Sequence, residues 1–268
     1  MIINAGQIAI IKKDISGITS NKRMFSVLLI VPLVMTVFVP SIFILTFQFT
    51  PVDSPDFAEM IQLLGAAGAG GLSAGELRFT VIRMILNNIL PLFFLLIPIM
   101  ASTVMAASAF VGEKEKNTLE TLLYCPLPLK DIFGAKIMAS FLLSAAVSVF
   151  SFIIMMAVVE TELFFITGAV ITPNVNWPII LFLVAPSVSL LAINLIVRGS
   201  AKAQSSEESQ QRSVFLVLPI VLLAAGQFTG IMMMGPWLLL AIGLALAVIA
   251  ALLFRVSFRK FQYETLLR

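Results

Sequence analysis

The sequence of 268 residues contains no histidine and a single cysteine, Cys125. It therefore cannot form an internal disulfide, and it lacks the Cys/His ligand sets of zinc sites and the Cys–His pairs of nucleophilic enzymes. Its carboxylates are scattered at the ends of apolar segments, where they form no general-base or metal constellation. These absences argue against a membrane enzyme and against a cofactor held by this chain.

Charged residues are also scarce, at 12% of the chain, whereas 60% of the residues are hydrophobic. A soluble domain carries roughly twice that charged fraction. The composition therefore predicts an all-α integral membrane protein, and the length suits a single transmembrane domain, 1–268. The net charge of +3 does not indicate a nucleic-acid partner, because basic residues in membrane proteins collect on the cytoplasmic loops.

Six apolar runs without Asp, Glu, Lys or Arg are each long enough to cross roughly 30 Å of hydrocarbon. They predict spans at about 24–47, 87–110, 137–159, 177–197, 214–234 and 236–254. Ahead of the first span, residues 1–23 mix apolar and charged positions at nearly helical spacing between Ile8 and Ile18. This segment predicts an interfacial helix that leads into the first span.

The distribution of Lys and Arg predicts the orientation. If both termini share one side, 15 of the 17 basic residues lie there, and Arg78 and Arg83 alone lie opposite. Such a bias predicts a multi-pass cell-membrane protein with both termini in the cytoplasm. Trp177 and Trp237 are then both expected at the outer interface, as in an aromatic belt.

A dense polar segment separates the second and third spans, from Gly112 to Pro126. We expect a break at Gly112 and then a short cytoplasmic helix over about 113–125. Asn117 and Glu120 have the spacing of a capping box at the start of this helix. Pro126 and Pro128 would end it, because proline cannot continue a helix interior. Its apolar face would consist of Leu119, Leu122 and Leu123. The alternative is an ordinary solvated loop.

These residues resemble a known family. The run Glu113-Lys114-Glu115-Lys116-Asn117-Thr118-Leu119-Glu120, followed by Leu122-Leu123, Pro126 and Gly134-Ala135-Lys136, looks like the signature of ABC type-2 exporter permeases. The family pattern is roughly E-[KR]-E-x-G-T-L-E-x-L-L-x-x-P, so Asn117 stands where glycine is common. Gln210-Gln211 ahead of Leu218-Pro219 is similar to the sodium-efflux and antibiotic-efflux branch.

The resemblance implies a permease that pairs with a second copy or a paralogue and carries two cytosolic ABC ATPase subunits on its inner face. The segment 113–125 would be the coupling helix that transmits nucleotide-driven movement. The coupling residues would be Glu113, Glu115, Asn117, Thr118, Leu119, Glu120, Leu122, Leu123 and Pro126. ATP and Mg would bind to the partner ATPase, since this chain has no G-x-x-x-x-G-K-[ST] motif.

Three polar residues lie at the outer entrance of the second span, Arg83, Asn87 and Asn88. They could contact a substrate or stabilise an outer gate. In the alternative interpretation, Arg83 snorkels to the interface and the asparagines bond a neighbouring helix.

The competing function is a stand-alone, ion-driven secondary transporter or channel. Such proteins usually carry an ionisable residue within the membrane, and the six predicted spans have none. The cargo of an exporter stays open between a hydrophobic or amphipathic molecule, a peptide and an ion.

Overall fold

The structure is a computed structural model that describes residues 4–51, 53–55, 57, 73–115, 118, 127–168, 172–200, 205–212, 214–228 and 235–260. Within these ranges the chain forms eight helices and no strand, and three helices contain a π-turn. The predicted all-α class is thus confirmed for the described residues. The length and hydropathy of the helices are those of a membrane-spanning protein.

Several of the helices are composites of α-helical segments and a π-turn. The first helix is α1 (Ala5–Ser20), and α2 joins Lys22–Leu33, the π-turn Val34–Phe38 and Val39–Phe49. The third, α3, joins Ala74–Met84, the π-turn Ile85–Ile89, Leu90–Phe94 and Leu96–Glu115, and α4 is Leu129–Thr167. The fifth, α5, joins Asn176–Ile179, the π-turn Ile180–Val184 and Ala185–Gly199. Three helices follow, α6 (Ser206–Arg212), α7 (Val214–Phe228) and α8 (Pro236–Lys260).

Five helices, α2, α3, α4, α5 and α8, are long and apolar enough to cross a membrane. They coincide with five of the six predicted spans. The remaining predicted span, 214–234, corresponds to α7, whose 15 described residues are shorter than a crossing. Its continuation over 229–234 lies outside the described residues, so the sixth span stays a prediction.

Helix α3 is the centre of the fold. In the most apolar 18-residue stretch of α3, 83% of the stretch is buried inside the protein, whereas the corresponding share in α8 is 17%. Helix α3 packs along both α4 and α5. The long helix α4 presents Ser140, Ser144 and Ser148 to this contact, all of them buried. Small residues four apart let two helix backbones approach closely within a membrane.

Hydroxyl groups also bond the helices together across this contact. The Ser144 hydroxyl donates to the Pro98 carbonyl of α3 at 2.9 Å and lies 2.9 Å from the Ser189 hydroxyl of α5. Because lipid offers no hydrogen-bond partner, these bonds favour the packed arrangement of the three helices.

Two tryptophans that the sequence places at the same interface have different environments. Trp237 is 84% exposed, as expected for a belt residue, whereas Trp177 is 1% exposed. Trp177 packs edge-on against Phe94 and at a tilt against Phe152. The indole of Trp177 therefore packs between α3, α4 and α5 and is not exposed on the surface of the helices, and the position of both tryptophans at the outer interface stays a prediction.

Candidate functional site

The predicted break at Gly112 is absent. Helix α3 runs through Gly112 to Glu115, so Glu113 and Glu115 extend the second span instead of opening a separate helix. Glycine in a helix costs about 1 kcal/mol relative to alanine, yet Gly112 does not interrupt α3. Thr118 closes the helix, since its N–H and hydroxyl both donate to the Glu113 carbonyl, at 2.9 and 3.2 Å.

The rest of the predicted coupling helix lies outside the described residues. This applies to Asn117, Leu119, Glu120, Leu122, Leu123 and Pro126. The predicted cap at Asn117 and the apolar face of the helix accordingly stay predictions.

Glu113 belongs to a group of four charged side chains from three helices, which we call the charge cluster: Lys13, Asp14, Glu113 and Lys136. The Lys136 ammonium lies 2.9 Å from Glu113 Oε2 and 3.6 Å from Asp14 Oδ2. The Lys13 ammonium lies 2.7 Å from Glu113 Oε1. The cluster thus joins the N-terminal helix α1 to the end of α3 and the start of α4.

The four side chains of the charge cluster differ in how far they are buried, and this decides which ion pairs are strong. The side chains of Asp14, Glu113 and Lys136 are 6%, 9% and 3% exposed, whereas that of Lys13 is 58% exposed. An exposed ion pair contributes little, because water and salt screen it. A buried charge must be paired, and losing its partner costs several kcal/mol. Lys136, Glu113 and Asp14 therefore form the energetic core of the cluster.

Lys136 has two further partners. Its ammonium donates to the Ala109 carbonyl at 2.6 Å and lies 5.8 Å from the centre of the Phe110 ring. Both residues belong to α3, one turn before Glu113. Lys136 thus fastens α4 to the last turns of α3 through three different groups.

Burial raises the pKa of Asp14 above its usual range; the Lys136 ammonium opposes this shift and the Glu113 carboxylate adds to it. A cavity of about 220 Å³ adjoins the carboxyl group, lined by Lys13, Asp14, Gly112, Glu113 and Thr118 among others. The Lys136 ammonium lies 3.6 Å from Asp14 Oδ2, whereas the two ammonium groups at Glu113 lie 2.7 and 2.9 Å from its oxygens. The cluster therefore holds one carboxylate more loosely than the other.

The raised pKa predicts a pH dependence. In the folded chain Asp14 retains its proton above the unfolded value near 4, so its contribution to stability is complete at acid pH and is lost as the pH rises through the folded pKa. Between pH 4 and 7, the unfolding temperature of D14N should fall less steeply than that of the wild type. Thermal unfolding in nanodiscs measures this, and equal slopes would contradict the assignment.

Glu115 ties a further segment to the same end of α3. Its Oε2 accepts from the Ser206 hydroxyl at 2.9 Å and from the Ser206 N–H at 3.3 Å. Ser206 begins α6, so the carboxylate holds the N-terminus of that short helix, where negative charge is stabilised. Two of the predicted coupling residues, Glu113 and Glu115, thus connect α1, α4 and α6 to the end of α3.

The three residues predicted at the outer entrance of the second span have different environments. Arg83 is exposed, whereas Asn87 is 5% exposed. The Asn87 side-chain oxygen accepts from the Asn174 N–H at 2.9 Å, and Asn88 Oδ1 accepts from Asn176 Nδ2 at 3.2 Å. The asparagines thus bond the segment that begins α5, as the second interpretation expects, and a role of the three residues in substrate contact or in an outer gate stays a prediction.

Sequence reasoning missed Asp14 and Lys136 as site residues, although a signal for Asp14 exists. Ile10, Asp14 and Ile18 are four residues apart and therefore share one face of α1. Both isoleucines are buried. A carboxylate on the apolar face of an amphipathic helix requires a buried cation, which the sequence does not identify.

No protein-family model matches the chain, and no curated protein or solved structure matches it. The functional assignment therefore depends on the residues and their geometry.

Proposed function

We propose that the chain is the membrane-spanning permease subunit of an ATP-driven ABC exporter. It would itself carry no nucleotide site, and two cytosolic ABC ATPase subunits would bind ATP and Mg. A second permease copy or a paralogue would complete the complex in the cell membrane, with both termini in the cytoplasm. The cargo would be a hydrophobic or amphipathic molecule, a peptide or an ion.

The observation that carries this proposal is the position of Glu113. It opens the polar segment that resembles the exporter signature, and it is also the residue through which α1 and α4 are joined to α3. A force applied by a soluble partner to the segment after α3 would therefore act on three helices together. An ion-paired junction of this kind would let the three helices move together, as the packed elements of a two-state transition do.

The alternative is an ion-driven secondary transporter or channel, and the buried Asp14 is the observation that favours it. However, the two carboxylates of the cluster are balanced by two ammonium groups. Glu113 lies in the last turn of α3 and Lys136 about two turns into α4, whereas Lys13 and Asp14 lie on α1, ahead of the first candidate span. A coupling site in a secondary transporter lies near the middle of the bilayer. The position of the cluster therefore favours transmission over ion coupling.

The experiment that separates these functions is an affinity pull-down of the tagged chain from detergent-solubilised membranes. We expect a cytosolic ATPase to co-purify in about equal amounts. A chain that purifies alone, and moves ions or solutes into liposomes without ATP, would establish the secondary transporter instead.

Within such a complex, replacing Glu113, Glu115 and Glu120 together by alanine should reduce coupling between ATP hydrolysis and transport. Coupling energies of 1–3 kcal/mol correspond to a loss of about fivefold or more. The ratio of transport to ATP hydrolysis in proteoliposomes measures the effect. The matched control is E207A, a change of an exposed carboxylate on α6. Normal coupling in the triple variant, at normal membrane insertion, would contradict the role of this segment.

A further inference from the structure

Each of the three π-turns precedes a proline by two residues. The π-turns end at Phe38, Ile89 and Val184, and the prolines are Pro40, Pro91 and Pro186. Proline has no N–H, and its ring clashes with the carbonyl four residues earlier. A π-turn widens the helix there, and such turns are frequent at functional sites. The same local solution therefore occurs on three different spans.

In α3, a side chain of α5 donates the hydrogen bond that Pro91 cannot donate. The carbonyl four residues before Pro91 is that of Asn87, and it accepts from Asn176 Nδ2 at 3.1 Å. The neighbouring carbonyl of Leu86 accepts from Trp177 Nε1 at 3.2 Å. Two side chains at the start of α5 thus replace the bonds that the interrupted helix lacks.

These contacts form a group, the asparagine clasp, which consists of Asn87, Asn88, Asn174, Asn176 and Trp177. Asn87, Asn176 and Trp177 are buried, and the other two are partly buried. Asn176 is 5% exposed and Nδ2 donates to two acceptors, the Asn87 carbonyl and Asn88 Oδ1. Its Oδ1, although buried, has no hydrogen-bond partner among the described residues. A buried, half-satisfied amide is costly. The clasp is thus a closed but incompletely bonded arrangement.

The three π-turns are also mechanically connected. The π-turn of α2 packs against Leu90–Phe94, which directly follows the π-turn of α3. Asn176–Ile179 packs against the π-turn of α3 and leads without interruption into the π-turn of α5. The interruptions of α2, α3 and α5 therefore lie in one connected layer, about 40 Å along α3 from Glu113 at 1.5 Å per residue.

We propose that this layer is a hinge at which the ends of α2, α3 and α5 bend together, and that the asparagine clasp is the latch that holds it closed. The inference goes beyond the proposed function, because it depends on no ATPase partner and on no particular cargo. Hinges absorb motion at a few residues, and here those residues are the three proline-linked π-turns.

Amide hydrogen exchange of the full chain in lipid nanodiscs tests the proposal. In N176L the asparagine clasp loses the two hydrogen bonds that Asn176 Nδ2 donates. We expect exchange to become about threefold faster or more in all three π-turns, which corresponds to the loss of a hydrogen bond. The control is N194L, since Asn194 is an equally buried amide whose side chain donates to Leu190 within its own helix. It should leave exchange in the π-turns unchanged.

Acceleration confined to 85–89 and the start of α5 would show a local contact and overturn the hinge. Should N176L fail to fold, P91A gives an independent answer. The N–H that it introduces can bond the Asn87 carbonyl, so the turn becomes α-helical and exchange slows in all three π-turns. The control is P98A, because Pro98 lies on the same helix but no π-turn ends two residues before it. Unchanged exchange at 34–38 and 180–184 in P91A would overturn the proposal.

Discussion

Replacing Lys136 by methionine should destabilise the protein more than any other change in the charge cluster, by about 3–5 kcal/mol. The ammonium is 3% exposed and lies between Glu113 and Asp14. Without it, two buried carboxylates face each other, and the mostly exposed Lys13 remains as their cation. Thermal or denaturant unfolding in detergent measures the change.

Lys130 provides the matched control, because it lies on the same helix and is exposed. K130M should change stability by no more than about 0.5 kcal/mol. The triple variant D14N/E113Q/K136M removes all the buried charges together and should recover much of the loss, because the penalty comes from the unpaired partners. Wild-type stability in K136M would show that the cluster is not the energetic junction of α1, α3 and α4.

Replacing Trp177 by alanine should have the largest effect among the apolar residues, a loss of about 3–5 kcal/mol. The indole is 1% exposed, its centre lies 5.7 Å from that of Phe94 and 5.3 Å from that of Phe152, and its N–H bonds the Leu86 carbonyl. The substitution leaves both a cavity and an unsatisfied carbonyl.

The control is W237A, in which the same side chain is removed from a position that is 84% exposed. It should stay within about 0.5 kcal/mol of the wild type. Equal losses in the two variants would mean that Trp177 contributes through the membrane interface and not through packing between helices.

The sequence determined the fold class and most of the spans. Long runs without charge have one stable solution in lipid, a helix whose backbone groups bond internally. Five of the six predicted spans therefore coincide with helices that meet the requirements of a crossing. The helix between Ile8 and Ile18 was likewise predicted from its spacing.

The sequence also pointed to Glu113, Glu115 and the asparagines at 87 and 88, because polar residues beside apolar spans are conspicuous. It did not determine their partners. Glu113 pairs with residues 100 positions earlier and 23 positions later, and Asn87 bonds residues almost 90 positions away. No local pattern encodes contacts at such separations.

Tertiary structure alone decided which of two similar residues is buried. Trp177 and Trp237 lie at comparable places in the sequence pattern, yet one is in the core and the other is exposed. Lys130 and Lys136 both precede the same apolar run, and of the two Lys136 is buried and Lys130 exposed. Periodicity specifies the face of a helix on which a side chain lies. Whether another helix or lipid covers that face depends on how the helices pack, because hydropathy does not distinguish the two apolar environments.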